Sequence, residues 1–224
     1  MHWNWFQKNP TPARTVADRN DSIPELTQQL NEKYGDYEYA KDARALDTSG
    51  LFASTLSQLA KKTYKEGARS VLIAGANSGA EVPFFDGFEV TALDLSDVAL
   101  KKLSGAYPQA RIVQGDIEHL PFDDKSFDVY VCLRAIHASN LDLQKALEES
   151  VRVTRSFLIY SVSNGYNIEG GLVKGMYDYT TQGIEPSLAI ERLEAVKHFL
   201  TARGYVQEVF EVPSEFLIFA AMPS

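Results

Sequence analysis

Two glycines and an aspartate carry the first chemical signal in this chain. Val71-Leu72-Ile73-Ala74-Gly75-Ala76-Asn77-Ser78-Gly79 is an apolar run that ends in a glycine-bounded turn. A second apolar run, Val90-Thr91-Ala92-Leu93, ends in Asp94, 19 residues beyond Gly75. Glycine has no Cβ, so backbone there can pass close to a ligand, and a carboxylate facing a vicinal diol can accept two charge-assisted hydrogen bonds. A strand, a glycine turn and a second strand with a terminal acid make the layout of a βαβ site for a ribose-bearing ligand. The segment alone leaves that ligand open.

These residues need a frame, and the apolar periodicity supplies one. Leu51, Leu56, Leu59 and Ala60 mark one helix face, and Gly67 a stop. A strand follows at about 69–74. Seven residues separate Gly79 from Gly87, with Pro83 among them, so two helical turns at most fit there. The pattern then predicts a strand over 88–93, a helix over 97–105, strands over 110–114 and 127–132, a helix over 140–153 and a strand over 156–162. A last helix over 187–203 closes at Gly204. Tyr205–Val212 and Phe216–Ala221 follow, and the short Pro213-Ser214 link makes them antiparallel neighbours. The expected fold is α/β: a three-layer sandwich around a mostly parallel seven-stranded sheet ending in an antiparallel hairpin. Residues 1–50 differ. They are polar, punctuated by Pro10, Pro12 and Pro24 and carry Tyr34, Tyr37 and Tyr39, so a helical N-terminal cap over 1–50 is expected before a Rossmann-like domain over 51–224.

Bulk properties exclude several function classes. The 224 residues are 45% apolar and 11% aromatic, enough to fill a continuous core and to exclude a disordered class. A net charge of −8 disfavours a nucleic-acid partner, which needs a concentrated basic face; Lys61, Lys62 and Lys65 read as a solvated helix face. The single cysteine, Cys132, sits in an apolar strand and reads as a small core residue, so neither a disulfide nor a thiolate metal site is expected. His2, His119 and His198 lie in unrelated contexts, and no metal is expected. Met1–Phe6 is too short and interrupted for a signal peptide, and no apolar run approaches a membrane span, so a cytoplasmic protein with no membrane partner is expected. Oligomeric state is not encoded legibly.

Two ligand classes fit the glycine turn. A dinucleotide enzyme of the short-chain dehydrogenase type would carry a glycine at position 81, where Glu81 stands, and a downstream Tyr-x-x-x-Lys pair for proton transfer. The only such spacing, Tyr37 to Lys41, lies upstream of the turn. The other class fits better. Gly75–Gly79, Leu93-Asp94-Leu95-Ser96, the long piece Gly115-Asp116-Ile117-Glu118-His119-Leu120-Pro121-Phe122-Asp123-Asp124-Lys125-Ser126-Phe127-Asp128 and the terminal hairpin after Gly204-Tyr205 together resemble the class I S-adenosylmethionine-dependent methyltransferases of the small-molecule branch. The resemblance covers roughly residues 50–224, and Gly115–Asp128 is its most specific piece.

The resemblance implies S-adenosyl-L-methionine as cofactor. By the same resemblance, Gly75 and Gly79 would let the methionine part lie against the backbone, Asp94 would bond both ribose hydroxyls, Asp116 would accept from the adenine amino group with Ile117 beside the ring, and Ala76, Asn77, Leu95 and Leu133 would complete the cofactor-binding set. The chain departs from the family pattern at Ile73, where an acid is usual, at Asn77, where a glycine is usual, and at Val153-Thr154-Arg155-Ser156, about two residues shorter than the usual Pro-Gly-Gly link. A structural reading of Asp94 as a helix N-cap is weaker, because Ser96 fills that position better.

Methyl transfer from a sulfonium is an in-line displacement, served mainly by alignment and exclusion of water. His137, after the fourth strand, is the candidate base, since imidazole titrates in the useful range; a helix cap is its competing reading. Arg134 offers an anion contact or, more simply, a surface ion pair. Residues 1–50 and the segment from Ser163 through Tyr166, Tyr177 and Tyr179 are expected to shape a small-molecule acceptor site. The expected activity is methyl transfer to a small molecule; the alternative is a cofactor-binding protein without transfer activity.

Overall fold

A computed structural model of the chain describes residues 24, 25, 27, 28, 30–32, 50–136, 141–163, 186–212 and 215–223. Seven strands form one sheet: β1 (Ser70–Ala74), β2 (Glu89–Asp94), β3 (Arg111–Gln114), β4 (Phe127–Cys132), β5 (Thr154–Ser163), β6 (Val206–Val212) and β7 (Glu215–Ala221). Their spatial order is β3-β2-β1-β4-β5-β7-β6. Strands β1 to β5 pair in parallel, while β7 runs antiparallel to both β5 and β6. The hairpin is therefore present as expected, but its second strand is the inner one. The reason is composition: β7 (Glu-Phe-Leu-Ile-Phe-Ala-Ala) is buried along its length, whereas β6 is mostly exposed and suits an edge.

Helices α1 (Leu51–Lys65), α2 (Asp97–Ala106), α3 (Leu143–Val153) and α4 (Pro186–Ala202) cover the sheet. Side chains alternate across each strand, so the two faces hold different cores. Val71, Ile73, Val129, Val131, Phe157 and Ile159 meet Phe52, Leu56 and Leu59 of α1 and Leu103 of α2. Leu72, Ala74, Tyr130, Cys132, Leu158 and Tyr160 meet Leu147 of α3 and Val196 and Leu200 of α4. Both faces of β1 and β4 are buried, which is why those strands read as unbroken apolar runs. Leu51, expected on the buried face of α1, is instead 55% exposed at the helix's first residue. The two-turn limit after Gly79 holds: Pro83 opens a single 3₁₀ turn, Val82–Phe85.

The short link at 153–156 has a simple form. Helix α3 ends at Val153 and β5 begins at Thr154, with no connecting loop. Pairing of β4 with β5 shifts register between Phe127 and Val129 to absorb the abrupt junction. Lys125 closes the helix end, its Nζ donating to the carbonyls of Val151 (2.9 Å) and Thr154 (2.7 Å).

Candidate functional site

Chain order reverses between β1 and β4, the place where open α/β sheets leave a crevice beyond the carboxyl ends of their strands. The glycine turn leaves β1 at that point. Gly75 (φ 71°) and Gly79 (φ 86°) both take left-handed backbone, and a Cβ on Gly75 would fall 2.7 Å from the Cβ of Ala135. Asn77, standing where the family pattern has a glycine, is also left-handed (φ 48°). Asparagine tolerates that region better than other side-chain-bearing residues, so the turn keeps its shape.

Asp94, 6% exposed at the end of β2, holds the turn in place. Its Oδ2 accepts the Asn77 N–H at 2.9 Å and its Oδ1 accepts the Ser96 N–H at 2.9 Å. Burial pushes its carboxyl up, opposed by the N–H groups of Ser96, Asn77 and Leu95. A carboxylate has about four lone-pair sites, more than these N–H groups fill, so the group keeps acceptor capacity. Ser96 is the N-cap of α2, accepting the Ala99 N–H at 3.1 Å, and this frees Asp94 from that role. The Ser96 hydroxyl also donates to Asn31 Oδ1 at 2.7 Å, so the N-terminal segment touches the same turn.

The segment after β3 forms the opposite side. Gly115 N–H donates to the Asp94 carbonyl at 3.0 Å, and a Cβ at Gly115 would press on Leu93. Asp116 Oδ1 accepts the Glu118 N–H at 3.1 Å, and its backbone bridges to His119. Ile117 packs against the second core cluster, and Leu133 is buried in the first. Arg152 on α3 fixes the whole segment, donating to the carbonyls of Leu120 (2.9 Å) and Phe122 (2.7 Å) while paired with Glu149. His137 lies outside the described residues, as do Tyr166, Tyr177 and Tyr179.

Arg134 corrects the reading from sequence. It is not in a surface pair: its Nε bonds Glu215, which is 1% exposed at the start of β7. Arg134 itself is left-handed (φ 61°), its N–H donates to the Ser161 hydroxyl at 2.9 Å, and its guanidinium lies 4.9 Å from the centre of the Phe52 ring. Cys132 is fully buried, and burial pushes its thiol up to about 12, so it is no nucleophile.

Sequence reasoning missed Glu81, using it only as the residue that breaks a dehydrogenase pattern. It is 8% exposed, and burial pushes its carboxyl up to about 7. The available signal was an acid directly after the turn with no cation three or four residues to either side. Within five residues of this turn, Asn77 Oδ1, Ser78 Oγ and Glu81 Oε2 are buried polar atoms without a hydrogen-bond partner. Native proteins rarely leave such atoms unmatched, and a cluster of them marks a place for a polar ligand. Among the described residues, no group of three or more His, Cys, Asp or Glu side chains is arranged to hold a metal, and no helix is long and apolar enough to cross a membrane.

Known proteins share part of this sequence and this fold. Residues 72–157 match the family model described as a methyltransferase domain. Over 67 residues the chain is 42% identical to a phthiotriol/phenolphthiotriol dimycocerosates methyltransferase of Mycobacterium tuberculosis, a match spanning 29% of this chain and 24% of that protein. The aligned part is thus about a quarter of that relative's length. Among solved structures, the CurJ carbon methyltransferase superposes with a TM-score of 0.62 at 16% identity, covering 98% of this chain and 69% of the other. A SAM-dependent methyltransferase from Aquifex aeolicus superposes with a TM-score of 0.55 at 19% identity, covering 73% and 89%. At these identities the structural likeness speaks for the fold.

Proposed function

We propose that this chain, whose residues 72–157 match a methyltransferase domain, is a class I S-adenosylmethionine-dependent methyltransferase that transfers a methyl group to a small-molecule acceptor. The observation that carries the reading is the glycine turn at the β1/β4 switch, with Asn77 Oδ1, Ser78 Oγ and Glu81 Oε2 buried and unmatched beside the clearance at Gly75. A zwitterionic amino-acid moiety fits such a turn, and a ribose diol fits the remaining acceptor positions of Asp94. Asp116 and Ile117 are assigned to the adenine side, and Leu95 and Leu133 to the cofactor site more broadly, by their positions along the strand ends. When bound, S-adenosylmethionine supplies an electrophilic methyl group on a sulfonium.

The chain's own residues bind, orient and exclude water. Asp94 holds the turn and the diol together, Arg152 fixes the segment under the adenine, and His137 takes the acceptor's proton where the acceptor must lose one. A small-molecule acceptor is supported by the net charge of −8, which disfavours a nucleic acid, and it accords with the phthiotriol/phenolphthiotriol dimycocerosates methyltransferase among the similar proteins. The contact of Asn31 with Ser96 supports residues 1–50 as a cap over this end of the sheet.

Calorimetric titration with S-adenosylmethionine and with S-adenosylhomocysteine tests the reading. Saturable binding of both is expected, and no heat and no thermal shift with either would overturn it. His137→Ala should slow turnover tenfold or more, in line with the size of general-base effects, at unchanged cofactor affinity; full activity removes His137 as the base. Ile73, apolar and 1% exposed where the family pattern has an acid, motivates a second reading as a cofactor-binding protein without transfer. Binding with no turnover across nitrogen, oxygen, sulfur and carbon acceptors would favour it.

A further inference from the structure

Among the described residues, charge around the glycine turn does not balance. Glu81 is a buried carboxyl group that feels two other buried acids, Asp94 and Glu215, and one guanidinium, that of Arg134. Arg134 is engaged by Glu215, whose Oε2 still has no hydrogen-bond partner. Cys132, also within reach of Glu81, stays a neutral thiol. Ile73 is packed in the first core cluster and supplies no charge. Among the described residues, Glu81 is thus a buried acid whose only neighbouring cation, Arg134, is bonded to Glu215, and its Oε2 is unmatched. Such a group costs stability in the free protein, and a ligand cation would complete it.

We infer that Glu81, with Asn77 and Ser78, receives the ammonium group of the cofactor's methionine moiety. The inference rests on the S-adenosylmethionine reading above. An ammonium has three donors and no acceptor, and the turn offers three unmatched acceptor atoms, Asn77 Oδ1, Ser78 Oγ and Glu81 Oε2. S-adenosylmethionine brings an ammonium and a sulfonium against one carboxylate, so it delivers net positive charge where the protein has surplus negative charge. The side chain at 81 then supplies the acid that Ile73 does not.

The carboxyl of Glu81 sits near its midpoint at neutral pH, raised by burial and by Glu215 and Asp94 and lowered by Arg134. Binding a cation selects the ionised form, so the wild-type protein should release a fraction of a proton on binding near pH 7. The test is calorimetry on the full chain at pH 6, 7 and 8, in two buffers of different ionisation enthalpy, with S-adenosylmethionine and with 5′-methylthioadenosine, which lacks the amino-acid moiety. Glu81→Gln should weaken S-adenosylmethionine about tenfold to a hundredfold, as expected for a charged hydrogen bond, and abolish the buffer-dependent heat. It should leave methylthioadenosine affinity within about twofold.

Equal weakening of both ligands would assign Glu81 to the fold and overturn the inference. Unchanged affinity and proton release in Glu81→Gln, with wild-type binding intact, would overturn it while leaving the cofactor reading standing. Failure of the wild-type protein to bind either nucleoside would overturn the cofactor reading and this one with it.

Discussion

The two ends of the sheet treat their carboxylates in opposite ways. At the amino end, Asp128 near the start of β4 is saturated: it accepts the Arg69 N–H (2.9 Å), the Ser70 N–H (3.0 Å), the Ser70 hydroxyl (3.0 Å) and Arg155 (2.9 Å). Partial burial pushes its carboxyl up, yet those bonds win and hold it below the usual carboxylate value. At the carboxyl end, Glu81 and Glu215 are more deeply buried and each keeps an unmatched oxygen, and burial wins at Glu81. One end is built to be finished by the chain alone. The other leaves polar atoms unmatched, as expected of the binding site proposed there rather than of a structural joint.

That contrast can be broken at three points, beginning with the largest effect. Asp94→Ala removes the acceptor for Asn77 and Ser96 together with the proposed diol contacts, so cofactor affinity should fall about a thousandfold by calorimetry. Unchanged affinity would refute the ribose role. Next, Glu81→Gln should stabilise the free protein at alkaline pH. A carboxyl raised to about 7 from 4.5 contributes its full stability below the unfolded value and loses it as pH rises through the folded one. By pH 8 to 9 the wild-type protein should therefore have lost about 3 kcal/mol that the variant keeps. Thermal unfolding from pH 5 to 9 reads this directly, and parallel curves would deny that Glu81 is an uncompensated acid.

Asp128→Ala should do the reverse. It leaves two backbone N–H groups without their acceptor and should cost about 2 kcal/mol near neutral pH, with cofactor affinity unchanged. Because the Asp128 carboxyl is held low, its contribution is present above 3.8 and lost as pH falls through the folded value. The variant should show a flatter acid limb in chemical denaturation, and a change in cofactor affinity would show that the two ends are not independent.

Much of this was legible in the residues because the signals were local. Strand and helix positions followed from apolar runs and glycine stops, and the turn with Asp94 followed from type and spacing. The rest depended on partners far apart in the chain. Nothing near Arg134 announces Glu215, 81 residues away, so a buried pair read as a surface one. The inner position of β7 depends on relative burial of two adjacent strands, which alternation alone does not rank. Asn77 looked like a defect in a glycine motif, and only its dihedral angle makes it a substitute. Glu81 was invisible as a site residue because its meaning lies in what it lacks.

The inner placement of β7 has a consequence in time. As the chain is made, β6 emerges before the strand it must pair with, and the edge of β5 stays open until β7 arrives between them. Glu215, at the start of β7, reaches Arg134 in the same event. Closing the sheet and setting the charge beside Arg134 therefore depend on the same strand, and without β7 both β5 and Arg134 lose their partners in it.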